Sequence, residues 1–86
     1  GQELAGDLGG CSEYDPEFYA EAMKANPASR GNIVIYETSR RKFREMEKEI
    51  LSKLTGSGIA RKRLRTFFVK ISPGDLREGV ELWLLP

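Results

Sequence analysis

The stretch of residues 32–54, NIVIYETSRRKFREMEKEILSKL, decides which fold this chain can adopt. Residues 32–37 are rich in β-branched and apolar side chains on both faces, which is typical of a buried and central strand. From residue 38 or 39 to residue 54, apolar side chains recur at helical spacing and predict a helix with one apolar side. A strand that leads directly into such a helix indicates a β-α-β unit, with two parallel strands and a right-handed crossover.

Two further strands are predicted downstream of this helix. Residues 64–72 and residues 80–85 both alternate their side chains with the period of two that is typical of strands. The sequence Pro-Gly-Asp at residues 73–75 supplies a turn between them. We therefore expect these last two strands to form an antiparallel hairpin.

A first helix precedes the central strand. Asp15 is a strong N-cap, and Pro16 at the first helical position needs no partner for a backbone N–H. The helix is expected to end near Ala25, because the residue before Pro27 avoids the helical region. The order of elements is thus α-β-α-β-β, an α+β fold in which two helices pack on a small three-stranded mixed sheet.

A single domain spanning residues 13–86 accounts for these elements in a chain of 86 residues. Residues 1–12 contain four glycines and few bulky apolar side chains, so we expect them to form a disordered tail. The only cysteine, Cys11, lies in this tail, which rules out a disulfide bond within the chain and favours a reducing compartment. Since no signal peptide and no apolar run of about 20 residues occurs, we expect a cytoplasmic protein, or a nuclear one in a eukaryote, with no membrane partner.

The composition argues against catalysis. The chain has no histidine, which excludes histidine bases and histidine metal ligands, and a single cysteine cannot form a zinc site. Glycine-rich phosphate loops and nucleophile motifs do not occur either. We therefore predict a non-catalytic domain with no metal and no cofactor, and the enzymatic alternative is a histidine-free nuclease.

Charge is distributed unevenly along the chain. Residues 1–29 have a net charge of −5, residues 30–70 of +8 and residues 71–86 of −2, which leaves +1 overall. A basic middle between acidic ends indicates either internal pairing of charges or a surface that binds an anion.

The basic side chains concentrate at two places. One is the start of the second helix, where the positive end of the helix dipole ordinarily favours acidic residues, and a bound anion would remove this conflict. The other lies at the far end of that helix, roughly 24 Å away, so the two form a stripe that suits an extended polyanion. The predicted nucleic-acid-binding residues are Ser39, Arg40, Arg41, Lys42, Arg44, Arg61, Lys62, Arg63 and Arg65.

Three aromatic residues, Tyr36, Phe68 and Trp83, belong to the candidate stacking or interface set if they lie on the sheet face away from the main core, and the alternative is that the first helix covers that face and they pack in the core. Aromatic rings in such a position stack on unpaired bases or form a protein interface. Together with the basic stripe they predict a small nucleic-acid-binding accessory domain, with RNA and DNA both open as partners.

Two other interpretations stay open. Glu49 with Lys53, and Arg41 with Glu45, can pair one helical turn apart, which would make the basic residues ordinary surface charge. Alternatively, the chain is a protein-interaction module or a homodimerising adaptor. It would then act through a sheet edge, the face that carries Trp83 or the acidic tail, or bind an acidic protein.

Overall fold

A computed structural model describes residues 2–3 and 15–86, with side chains from residue 15 onward. Its helices and strands, with one turn of 3-10 helix before β3, are β1 Gln2–Glu3, α1 Pro16–Ala25, β2 Arg30–Glu37, α2 Arg40–Gly56, the 3-10 turn Arg61–Arg63, β3 Leu64–Lys70 and β4 Gly79–Leu85. The α+β class and the α-β-α-β-β order of the long elements are confirmed. Of the predicted tail, residues 1 and 4–12 lie outside the described residues, and Gln2–Glu3 pairs with β4.

Local chemistry accounts for where both helices begin. The carboxylate of Asp15 accepts hydrogen bonds from the backbone N–H groups of Glu17 and Phe18, at 3.0 and 3.1 Å, and so caps α1. The hydroxyl of Ser39 accepts one from the backbone N–H of Lys42 at 3.2 Å and caps α2 in the same way. Each cap satisfies a donor that the first helical turn cannot pair within the helix.

The sheet has the order β1-β4-β2-β3. β2 pairs in parallel with β3, from Gly31 opposite Leu64 to Glu37 opposite Lys70. It pairs antiparallel with β4 on its other edge, from Arg30 opposite Leu85 onward. Two predictions are confirmed: the strand predicted at residues 32–37, now β2, lies inside the sheet, and it forms a parallel β-α-β unit with α2 and β3.

The predicted hairpin between the last two strands is wrong, because both pair with β2 and not with each other. The segment of residues 71–78 carries the chain past the end of β2, from the edge that β3 occupies to the opposite edge. Tight hairpins use about two to five loop residues. The segment between β3 and β4 is longer, and this length was the feature of the sequence that argued against a hairpin. The arrangement pairs both edges of the strand that is apolar on both faces, which satisfies its backbone groups where water is excluded.

The core lies between the sheet and the two helices, which pack on the same face. Ile33 and Ile35 of β2 are fully buried against side chains from both helices and from β4. The buried residues contributed by the helices are Tyr19, Ala20, Met23, Phe43, Ile50 and Leu54. Burying these apolar side chains supplies the main stabilisation of a domain of this size.

Tyr19 ties α1 to the sheet. Its hydroxyl donates a hydrogen bond of 2.5 Å to the backbone carbonyl oxygen of Trp83, and burial raises the pKa of this hydroxyl above its ordinary value. Gly31 lies directly beneath it, and a Cβ at that position would meet the Tyr19 hydroxyl, the sulfur of Met23 and a methyl group of Leu64. Helix α1 can therefore approach β2 this closely only because residue 31 has no side chain.

Within residues 15–86, no helix is both long and apolar enough to cross a bilayer.

Candidate nucleic-acid interface

The start of α2 carries a group of four basic residues that we name the helix cluster: Arg40, Arg41, Lys42 and Arg44. All four are exposed, and the first turn of α2 contains no acidic residue. The hydroxyl of Ser39, predicted as part of the site, is occupied as the N-cap. Because the helix dipole already makes this end positive, each unpaired cation here costs about 0.3–1 kcal/mol.

Acidic side chains do not neutralise the helix cluster within residues 15–86. Glu37, just before the helix, uses its carboxylate to accept a hydrogen bond of 3.1 Å from the backbone N–H of Thr38. The ion pairs in this part of the chain join Lys24 to Glu21 at 3.6 Å, Lys53 to Glu49 at 3.2 Å, and Arg77 to Asp75 at 2.9 Å. The Glu49–Lys53 pair is thus formed, whereas the Arg41–Glu45 pair is not, and the helix cluster keeps its positive charge.

Arg40 has one stabilising contact with the fold. Its guanidinium lies 5.3 Å from the centre of the Phe68 ring, which is within the range of a cation–π interaction. The same ring stacks on Phe43 of α2, with 4.8 Å between ring centres. This contact holds Arg40 on the side of α2 next to β3 and leaves its N–H groups available to an anion.

Phe68 therefore packs on the core face, which was the alternative for this residue, and its inclusion among the stacking or interface residues is wrong. β2 and β3 are registered with Phe68 opposite Ile35, which is fully buried against the helices. The neighbouring Phe67 points to the other face and has 42% of its surface exposed. Two consecutive phenylalanines always point to opposite faces of a strand, but only the pairing with β2 decides which one faces the core.

The second basic run divides into structural and exposed residues. Lys62 is exposed, and Arg61 is exposed with one N–H group bonded to the carbonyl oxygen of Leu64 at 2.7 Å. Arg63 is half-buried and donates hydrogen bonds to the carbonyl oxygens of Met23, Asn26 and Ser29 at 3.0, 2.8 and 3.0 Å. The prediction that Arg63 belongs to the binding site is therefore wrong. The guanidinium of Arg63 caps the negative end of α1, so it is not available to a ligand.

The sheet face opposite the helices has no described helix packed on it, and we name it the open face. None of its residues is fully buried in the described part of the chain. It is formed by Arg30, Asn32, Val34, Tyr36, Arg65, Phe67, Val69, Glu81, Trp83 and Leu85. Arg65, Tyr36 and Trp83, all predicted as binding residues, lie here, and Phe67 is the residue that sequence reasoning missed.

One end of the open face carries a polar network. A single carboxylate oxygen of Glu81 accepts hydrogen bonds from the Tyr36 hydroxyl at 3.0 Å and from the indole N–H of Trp83 at 3.2 Å. Arg77 lies 5.7 Å from the centre of the Tyr36 ring and pairs with Asp75. Hydrogen bonds from Arg77 lower the pKa of the Asp75 carboxyl to about 2. These contacts cover Tyr36 and hold Glu81 in place.

The predicted basic residues fall at opposite ends of the sheet. α2 begins just after the end of β2, near Lys70, whereas the 3-10 turn leads into the start of β3, near Arg30 and Gly31. The 17 residues of α2 separate the two, a length of about 25 Å. The basic groups do not converge on one pocket, so a small anion would contact only one of them.

Within the described residues, no group of three or more histidine, cysteine or acidic side chains could hold a metal ion. Comparison with known proteins found no match to a family model, to a curated protein or to a solved structure.

Proposed function

We propose that this domain binds nucleic acid, with phosphates held by the helix cluster at the start of α2. The observation that carries the proposal is the exposed group of four cations, at the positive end of a helix, without an ion-pair partner in residues 15–86. Backbone N–H groups at a helix start already favour a phosphate, and cations beside them strengthen the binding.

A long polyanion suits the surface better than a small anion. Arg61, Lys62 and Arg65 are exposed at the other end of the sheet, about one length of α2 from the helix cluster. A nucleic acid carries phosphates along its whole length and can contact both groups at once. Residues 30–70 together have a net charge of +8, which favours fast association with any polyanion at low salt.

The test is a titration of fluorescently labelled RNA, single-stranded DNA and duplex DNA at several salt concentrations, followed by polarisation. If about four to six phosphates are contacted, log K falls against log salt with a slope between about −3 and −5. The triple variant Arg40→Glu, Arg41→Glu, Arg44→Glu is expected to abolish binding while thermal unfolding shows an intact fold.

A matched control distinguishes binding at the helix cluster from attraction by the net charge of the protein. The variant Lys24→Glu, Lys48→Glu, Lys53→Glu changes the charge by the same amount at three exposed positions that are not part of the helix cluster. It should weaken binding only slightly. Equal losses in the two triple variants, or no binding to any oligonucleotide at low salt, would contradict the proposal.

A second candidate function is self-association through β3. This strand pairs only with β2 in the described sheet and carries the exposed ring of Phe67, and a free edge can pair with another strand. β4, in contrast, lies between β2 and β1, so the third predicted strand does not offer this edge. Sedimentation at high salt distinguishes the two functions, because an edge-paired dimer persists there whereas phosphate binding is lost.

A further inference from the structure

The register of the sheet places three chemically different side chains in one row across the open face. Arg65 of β3 lies opposite Asn32 of β2, and Asn32 lies opposite Trp83 of β4. Arg65 is exposed and makes no ion pair in residues 15–86, and the Asn32 amide makes no hydrogen bond to that part of the chain. A cation, an amide and an indole ring are the groups that recognise a phosphate, the edge of a base and the face of a base.

The neighbouring row adds a second ring. Phe67 lies opposite Val34, and Val34 lies opposite Glu81. The ring of Phe67 is 42% exposed, whereas the Tyr36 ring is covered by Arg77. Within residues 15–86, Phe67 is thus the exposed aromatic side chain of the open face, and Trp83 is a half-buried ring in the adjacent row.

Charge on this face is complementary to a phosphate backbone at one end. Arg30 and Arg65 are both exposed at the end where β3 begins. Among the side chains of residues 15–86 on the open face, the acidic one is Glu81, whose carboxylate accepts a hydrogen bond from Tyr36 and one from Trp83. Arg65 and Glu81 thus lie at opposite corners of two adjacent rows, and Trp83 and Phe67 lie at the other two corners.

The spacing of the two rings decides which form of nucleic acid fits. Phe67 and Trp83 are two strands apart and offset by two residues along the sheet, which corresponds to about 12 Å from strand spacings of about 4.8 Å. Stacked bases of a duplex strand lie about 3.4 Å apart. Adjacent bases on rings this far apart are not stacked on each other, and each ring needs a base face that the neighbouring bases leave uncovered, which requires an unpaired strand.

We propose that the open face binds an unpaired segment of nucleic acid, with one base on Phe67, another on Trp83, and the intervening backbone near Arg65. This proposal rests on the proposed function and assigns the single-stranded form as the ligand. The helix cluster lies on the other side of the sheet, so it contacts phosphates beyond this segment.

The experiment uses Trp83, the only tryptophan of the chain, as a reporter. Oligonucleotides of about 12 nucleotides, a length within the roughly 4–16 nucleotides that known single-strand-binding folds cover, are titrated as single strands and as duplexes of the same sequence. Single strands are expected to quench Trp83 emission and to bind more tightly than the duplexes. Phe67→Ala should weaken single-strand binding about fivefold or more, with an unchanged salt slope and unchanged duplex affinity.

A control and three outcomes make the test decisive. Leu76→Ala removes an apolar side chain that is 92% exposed outside the open face, and it should leave binding unchanged. If single strands and duplexes bind equally and Phe67→Ala has no effect, while the reversal of the helix cluster abolishes binding, the open-face proposal fails and the proposed function stands. If no nucleic acid binds, both fail. If Trp83 emission changes with protein concentration alone, the face binds a second copy, and the proposal is overturned.

Discussion

The guanidinium of Arg63 donates a hydrogen bond of 3.0 Å to the backbone carbonyl oxygen of Met23, 40 positions earlier in the chain. The same side chain reaches Ser29 through both the carbonyl oxygen and the hydroxyl, at 3.0 and 2.9 Å. The carbonyl oxygens of Met23 and Asn26 each accept a local backbone N–H, and Arg63 adds a charged donor from across the fold. The basic run before β3 therefore joins the end of α1 to the start of the edge strand.

This relationship predicts opposite results for two neighbouring residues. Arg63→Ala removes four hydrogen bonds, including the donor to the part-buried carbonyl oxygen of Ser29, and should lower the free energy of unfolding by about 2–3 kcal/mol. Lys62→Ala, at an exposed position, should change it by less than about 0.5 kcal/mol. Urea unfolding followed by circular dichroism measures both, and similar values for the two variants would show that Arg63 has no structural role.

Two glycines of the chain should respond to alanine in opposite directions. In Gly31→Ala the new Cβ meets the hydroxyl of Tyr19 and the side chains of Met23 and Leu64, and such overpacking costs about 1–3 kcal/mol. In Gly56→Ala no atom lies within 4 Å of the new Cβ, and the helical residue gains up to about 1 kcal/mol from its higher propensity.

The steric explanation for Gly31 can be checked by combining substitutions. Tyr19→Phe removes the oxygen that the Cβ would meet, so the double variant should lose less stability than the sum of the two single variants. Thermal and urea unfolding of the four proteins provide the comparison. If the stability losses of the two single variants simply add in the double variant, the contact with the Tyr19 hydroxyl does not cause the loss in Gly31→Ala.

Alkaline conditions should destabilise the domain through Tyr19. Burial raises the pKa of its hydroxyl, so above pH of about 10 the unfolded chain releases this proton while the folded protein retains it. The folded state then binds more protons than the unfolded state, and the free energy of unfolding falls as pH rises. In Tyr19→Phe this part of the pH dependence should disappear, although the variant is less stable at neutral pH because it lacks the bond to Trp83.

Acidic conditions should act on the loop before β4. The hydrogen bonds from Arg77 lower the pKa of Asp75 to about 2, below the ordinary value of about 3.9. Their stabilising effect is complete above that ordinary value and is lost as pH falls through about 2. A carboxyl titration by nuclear magnetic resonance should show the low pKa, and Arg77→Gln should raise it. If Asp75 had the same pKa in both proteins, the pair of Asp75 and Arg77 would not form in solution.

Local sequence was sufficient where the deciding interaction is local. Asp15 and Pro16 predict the start of α1, because a cap and a first-turn proline act within three residues. Ser39 likewise predicts the start of α2, and the apolar spacing of that helix predicts its buried side. The helix cluster could be recognised for the same reason, since the conflict between cations and the helix dipole lies within one turn.

Residue types alone could not assign the other members of the candidate site. Arg61, Lys62 and Arg63 form one run of basic residues in the sequence, and only the position of α1 selects Arg63 for partial burial. Phe67 and Phe68 are equivalent as well, and a shift of one residue in the pairing with β2 would exchange their faces. Both choices depend on residues more than 30 positions away.

The sequence by itself determined the α-β-α-β-β order, the place of β2 at the centre and the positive start of α2, because caps, periodicity and adjacent charges act over a few residues. The tertiary structure decided that β3 and β4 pair with opposite edges of β2, that Phe67 and Trp83 share the open face, and that Arg63 is structural. These features depend on strand register and helix placement, which are set by packing the whole core at once.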